Sequence, residues 1–141
     1  MIKTEGIEFF FKLANGLVSL PENYYIGWCE EAEDEIAKAA SLGDLTELAG
    51  SGYARQAVAG DDAEMIAAPA GDNGWTLTTK KVTFTAAGGD WALAKTRFLA
   101  TSSDDSGYLI ATEPLKSGAG VALLDTESYD CKMQIASEPP A

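Results

Sequence analysis

Histidine is absent from this chain of 141 residues, and basic residues are scarce: 10 Lys and Arg stand against 22 Asp and Glu, for a formal net charge of −12. Without histidine there is no His-dependent triad and no zinc site containing His, since that side chain is the commonest general base and metal ligand near neutral pH. Without a basic run there is nothing to displace counterions from a nucleic-acid backbone, so DNA and RNA are not expected partners. Long apolar runs are missing too. Nothing approaches the ~20 apolar residues of a membrane span, and Met1-Ile2-Lys3-Thr4-Glu5-Gly6 does not lead into the apolar stretch of a secretory signal. No membrane partner and synthesis in the cytoplasm are the expectations.

Cysteine is limited to Cys29 and Cys131, far from the Cys-x-x-Cys spacing of a zinc or redox site. Two readings stay open for them, buried free thiols or one disulfide. Catalytic patterns are lacking as well. Ser51, Ser102 and Ser106 sit in loop sequence without a Gly-x-Ser-x-Gly elbow. The paired acids Asp61-Asp62 and Asp104-Asp105 lie in short turns rather than a sugar-sized cleft. Gly50 and Gly52 are not followed by the Lys-Ser/Thr of a phosphate loop. The run Glu30-Glu31-Ala32-Glu33-Asp34-Glu35 lacks the ordered spacing and central glycine of a calcium loop, and reads as a solvated acidic face. The chain is expected to be no enzyme, with no catalytic residue, no cofactor and no metal.

What is present is material for a core: 46% apolar and 9% aromatic residues, in a chain long enough to bury roughly 70% of its unfolded surface. Ile7, Phe10, Phe11 and Ala14 recur at helical spacing, widened by Phe9 and Leu13, and predict an amphipathic helix over 4–16 that is capped by Thr4 and stopped at Gly16. After Pro21, the alternation of Tyr24, Ile26 and Trp28 predicts a strand. Residues 32–41 support either one short helix or an extended loop. From Tyr53 onward the texture is β: strands at Tyr53–Val58, Met65–Ala67, within Trp75–Ala86, at Trp91–Thr101, Tyr108–Thr112, Val121–Leu124 and Tyr129–Ala136. Ser102-Ser103-Asp104-Asp105-Ser106-Gly107 is a turn that joins two of these into a hairpin. The expected fold is mainly β: one domain over 1–141, with the N-terminal α-helix at 4–16, a single antiparallel β-sandwich of jelly-roll or Ig-like type at 23–136, and a frayed tail at 137–141.

The order of pieces is similar to that of a family of small tailed-phage virion proteins, described as head decoration or tail fibre-like proteins. The likeness is carried by Tyr25-Ile26-Gly27, Leu45-Thr46-Glu47, Gly50-Ser51-Gly52-Tyr53-Ala54-Arg55-Gln56-Ala57-Val58, Val82-Thr83-Phe84, Gly89-Asp90-Trp91 and Tyr108-Leu109-Ile110. It covers about residues 4–136, with Gly52–Val58 its most specific part. Two departures are Trp91-Ala92-Leu93-Ala94-Lys95, where the family has Gly-Thr-Val-Thr-His after its tryptophan, and residues 30–43, which read as an insertion. The resemblance implies a capsid decoration or cement protein on the capsid exterior of the virion, bridging the major capsid protein or other virion proteins as a homo-oligomer, a trimer by analogy. The alternative is a tail or tail-fibre component that attaches to a host surface.

Six residues stand out as structural or interaction candidates. Arg55 is the only cation between Lys38 and Lys80, so on an acidic chain it should pair with a carboxylate, with Glu47 the nearest choice, and pin the loop that carries Tyr53. Trp28 and Trp91 fall on strand positions that face a core, whereas Trp75 beside a glycine-rich loop is the best surface aromatic, able to stack on a sugar. Phe10 and Phe11 on the first helix pack either on their own domain or on a neighbour.

Overall fold

A computed structural model describes residues 1–71 and 74–136. The chain is mainly β, with one N-terminal α-helix, α1 (Thr4–Ala14), and nine strands among the described residues: β1 (Asn23–Cys29), β2 (Gln56–Ala59), β3 (Met65–Ala70), β4 (Gly74–Thr79), β5 (Val82–Thr85), β6 (Thr96–Ala100), β7 (Leu109–Pro114), β8 (Ser128–Cys131) and β9 (Gln134–Ala136). They form three open antiparallel sheets, ordered β2-β1-β6-β7, β3-β4-β9 and β5-β8. The expected frayed tail, 137–141, lies outside the described residues.

The four-stranded sheet is buried on both faces. Tyr24, Ile26 and Trp28 of β1 point into the main core, where Trp28 stacks on Phe84 of β5 at 4.5 Å and meets Trp91 and Tyr129 edge-on. Gly27 and Cys29 point the other way, with Phe98, Ala100 and Leu109, into a second cluster closed by Ile36, Ala40 and Leu42. Gly27 is the residue that fits there: a Cβ at this position would lie 2.4 Å from the Phe98 ring.

Segment 30–46 covers this core face through Ile36, Ala40 and Leu42, while the acidic run at 30–35 that precedes them has no buried residue and stays at the surface, as expected of it. No α-helix forms there. Single 3-10 turns at Glu33–Glu35 and Leu42–Asp44 alternate with extended backbone, since the acids bond locally: Glu35 accepts from Ala32 N–H and Asp44 from Ser41 N–H. The apolar residues between them turn inward. Lys3 anchors this cover from the N-terminus; its buried ammonium donates to Ile36 O at 3.0 Å.

Helix α1 shields the free edge of the four-stranded sheet. Glu5 accepts Leu109 N–H, Ile2 bridges Ala111, and Lys38 O accepts the Thr4 N–H. Thr4 lies inside the helix and does not cap it; Lys3 holds the cap position without a side-chain bond. At the other end Gly16 N–H bonds Leu13 O and Leu17 N–H bonds Lys12 O, a glycine-terminated stop. The buried stripe is Gly6, Phe9 and, in part, Phe10 and Leu13, so the helix is rotated from the expected face and leaves Ile7 and Phe11 exposed.

Other boundaries shift for identifiable reasons. The strand expected over Trp91–Thr101 is confined to Thr96–Ala100, because Trp91 and Ala94 bond instead to Leu123 and Val121 in a loose ladder. That ladder also replaces the strand expected at Val121–Leu124. The last strand breaks at Lys132-Met133, where Met133 N–H donates to Thr79 Oγ1, and its two halves join different sheets. The strand expected at Tyr53–Val58 starts only at Gln56. The hairpin through 102–107 forms as expected, with β6 and β7 antiparallel.

Candidate functional site

The most specific segment of the sequence, 50–58, builds a polar node at the edge of the four-stranded sheet. β2 pairs with β1 only as far as Ile26. Beyond that point the outer groups of β1 need other partners, because a buried backbone group left unpaired is costly. Residues 46–48 supply them: Leu48 N–H donates to Trp28 O, and Glu30 N–H to Thr46 O. The Tyr53 hydroxyl fills the remaining gap, accepting Trp28 N–H at 2.9 Å and donating to Glu47 Oε1 at 3.0 Å.

Two glycines allow this approach. Gly50 lies flat against the Trp91 indole, where a Cβ would come within 2.3 Å of the ring, and Gly52 adopts φ +78°, a left-handed conformation that L side chains rarely take. The Trp91 indole N–H donates to Ser51 O between them at 2.7 Å.

Arg55 completes the node. Its Nε donates to both carboxylate oxygens of Glu47 at 3.0 and 3.1 Å, Nη2 to Glu47 and to Asp105 Oδ1, and Nη1 to the backbone carbonyls of Ser102 and Asp104. The guanidinium lies 5.1 Å over the Phe98 ring, and the Arg55 side chain is 4% exposed. Burial pushes the Tyr53 phenol well above its ordinary pKa, so it stays a neutral donor. Every guanidinium nitrogen is engaged. The node therefore clamps loops 46–55 and 101–107 across the sheet edge, with Tyr53 facing the main core and Arg55 facing the second cluster.

Sequence reasoning finds the Arg55–Glu47 pair and the loop that it pins, but not the bonds of the Tyr53 hydroxyl to Trp28 and Glu47. It misses Ser102, Asp104, Asp105 and Phe98 as partners of Arg55. The signal was faint: two acids in a turn, 49 and 50 positions away from Arg55. Cys29 and Cys131 are free and buried, in the second cluster and the main core respectively.

The remaining candidates lie apart from this node. Trp28 and Trp91 are core residues, while Trp75 on β4 is 57% exposed. It sits opposite Pro69 of β3 and shares a face with Leu77, two residues nearer the core. Phe10 packs on the main core beside Phe9, and Phe11 faces solvent. Among the described residues, no group of three or more His, Cys, Asp or Glu could hold a metal ion, and no helix is long and apolar enough to cross a membrane. No protein-family model matches the chain, and no curated protein matches it.

Proposed function

We propose that this chain is a non-enzymatic structural protein of a tailed-phage virion, and that it decorates the capsid exterior by laying apolar surface onto neighbouring virion subunits. The observation that carries the reading is the set of large apolar side chains with high exposure on an acidic body: Phe11, Leu17 and Leu20 around α1, and Ile66 and Trp75 on the paired strands β3 and β4. A chain at −12 has charge to spare for solubility, so apolar groups of this size and exposure read as surface meant to be covered by protein. The sequence likeness of Tyr25–Gly27 and Gly50–Val58 to virion proteins supplies the setting.

The architecture suits that role. The four-stranded sheet forms one layer, and β5–β8 with β3–β4–β9 form the other, an open and irregular version of a sandwich around the Trp28 core. Cementing needs no chemistry, because covering surface across a subunit boundary stabilises the assembled state by mass action. A clamp such as the Arg55 node holds loops at fixed positions, which lowers the ordering cost of docking.

The test is direct imaging and quantitative mass spectrometry of purified particles from the phage that encodes the chain. Copies in the hundreds on the head support decoration. A handful at the tail favours the tail-fibre reading, and absence from particles overturns both.

A further inference from the structure

Helix α1 carries a surface that its own domain does not use. Its outward face presents Ile7 and Phe11, 40% and 69% exposed, and the chain after the glycine stop adds Leu17 and Leu20, 73% and 63% exposed. Together these four residues leave on the order of 400 Å² of apolar surface in water, the size of the largest patch on many monomers, which is often functional. Residues 13–21, which end the helix and follow it, contain no charged side chain. On one flank of the patch, Glu8 and Lys12 form an ion pair at 2.6 Å, and Lys12 also donates to Tyr108 Oη at 3.3 Å.

We infer that this face pairs with the same face of a second copy, the two α1 helices running antiparallel across a two-fold axis. The charge pattern selects that occupant. Two copies that each carry −12 repel, so they can meet only where the surface is neutral or carries its own complement. A two-fold sets like flank against like flank. With the axis between positions 9 and 10, Ile7 of one copy lies within one residue's rise of Phe11 of the other, and Glu8 of each copy within one residue's rise of Lys12 of the other. The acidic and basic ends of one flank thus match themselves when reversed. The patch supplies about half of the ~800 Å² a side of a standard interface, with a polar rim for the rest, so the dimer is a modest one that assembles with concentration. The pairing is a property of the isolated chain and goes beyond the virion reading; a paired α1 face leaves Ile66 and Trp75 of β3 and β4 as the exposed apolar surface for neighbouring virion subunits.

Sedimentation velocity and light scattering of the full chain, from about 1 µM to about 1 mM, should show a reversible shift from one to two chain masses. Phe11→Ser with Leu17→Ser should weaken the association at least ten-fold while leaving the circular dichroism spectrum and melting temperature near those of the parent. The sharper test uses charge. Glu8→Lys alone and Lys12→Glu alone should each be monomeric, whereas an equimolar mixture of the two should associate, because only the mixed pair restores both cross-helix contacts. A chain monomeric throughout the range, a three-chain particle, or a mixture that stays monomeric would overturn the inference. Binding of the patch to capsid protein with no self-association would do the same, and would leave the virion reading standing.

Discussion

The two faces of the four-stranded sheet are buried by opposite means. One face is covered by other β-sheets and an aromatic cluster in which Trp28 touches Phe84, Trp91 and Tyr129. The other is covered by an acidic stretch with no regular structure beyond two single turns, which contributes only Ile36, Ala40, Leu42 and part of Leu45. Both faces reach near-zero exposure. Complete burial thus requires a few apolar residues at the right spacing and local partners for the backbone, and it does not require a second layer of sheet or helix. What should differ is rigidity, since an irregular cover can settle into a void that a stacked aromatic cluster cannot.

The largest effect expected follows from that difference. Trp28→Ala should cost about 3–5 kcal/mol in denaturant unfolding, while Leu42→Ala on the opposite face should stay near the low end of about 2–5 kcal/mol. Equal losses would mean that the cover is as rigid as the aromatic side. Next comes the clamp that spans both faces. Arg55→Ala removes one partner of a largely buried pair, and because Glu47 keeps some contact with water the cost should be about 2–4 kcal/mol. Arg55→Lys should recover little of it, as an ammonium cannot reproduce a planar fork that reaches two carboxylates and two carbonyls. Gly27→Ala presses a methyl into Phe98 and should cost about 1–3 kcal/mol, with part returned by adding Phe98→Leu. Full additivity of the two changes would show that the second face yields without the contact.

Acid should produce the smallest effect, one shared by both sides of the molecule. Hydrogen bonds from Ser106 to Asp104 and from Ser41 to Asp44, the Lys80 contact to Glu64, and the Thr83 hydroxyl on Asp130 hold these carboxyls below their ordinary pKa values. A depressed folded pKa adds stability above the unfolded value, and that stability is lost as pH falls through the folded one. The melting temperature should therefore be flat near neutrality and decline below about pH 4. A melting temperature that rises in this range would contradict the assignment.

Legibility in the sequence follows the same division. Segments of the main core show the two-residue period because one of their faces meets apolar partners: Tyr24-Ile26-Trp28 and the β6–β7 hairpin read correctly, and Cys131-Met133-Ile135 are buried in alternation although their strand breaks at Lys132-Met133. The second face was hidden because β1 is apolar on both sides at Gly27 and Cys29, and because a run of acids masks the three apolar residues that follow it. Helix α1 was found but turned the wrong way, since Phe9, Phe10 and Phe11 offer three possible faces and Gly6 decides among them: a Cβ there would overlap Ile110 O, at 2.2 Å. At the polar node, a cation isolated in sequence pointed to its nearest acid, whereas the contacts with 102–105 depend on where the hairpin folds back and leave no local trace.

The two cysteines fall on either side of this division, and that makes them useful. Cys29 lies beneath the irregular cover and Cys131 within the aromatic core; both are free, and burial raises both thiol pKa values. Neither can be alkylated until its own side of the sheet opens. Under native conditions the two labelling rates are thus separate clocks for two local breathing motions of one molecule. The interval between them measures how much more readily the irregular side comes apart, with no residue changed.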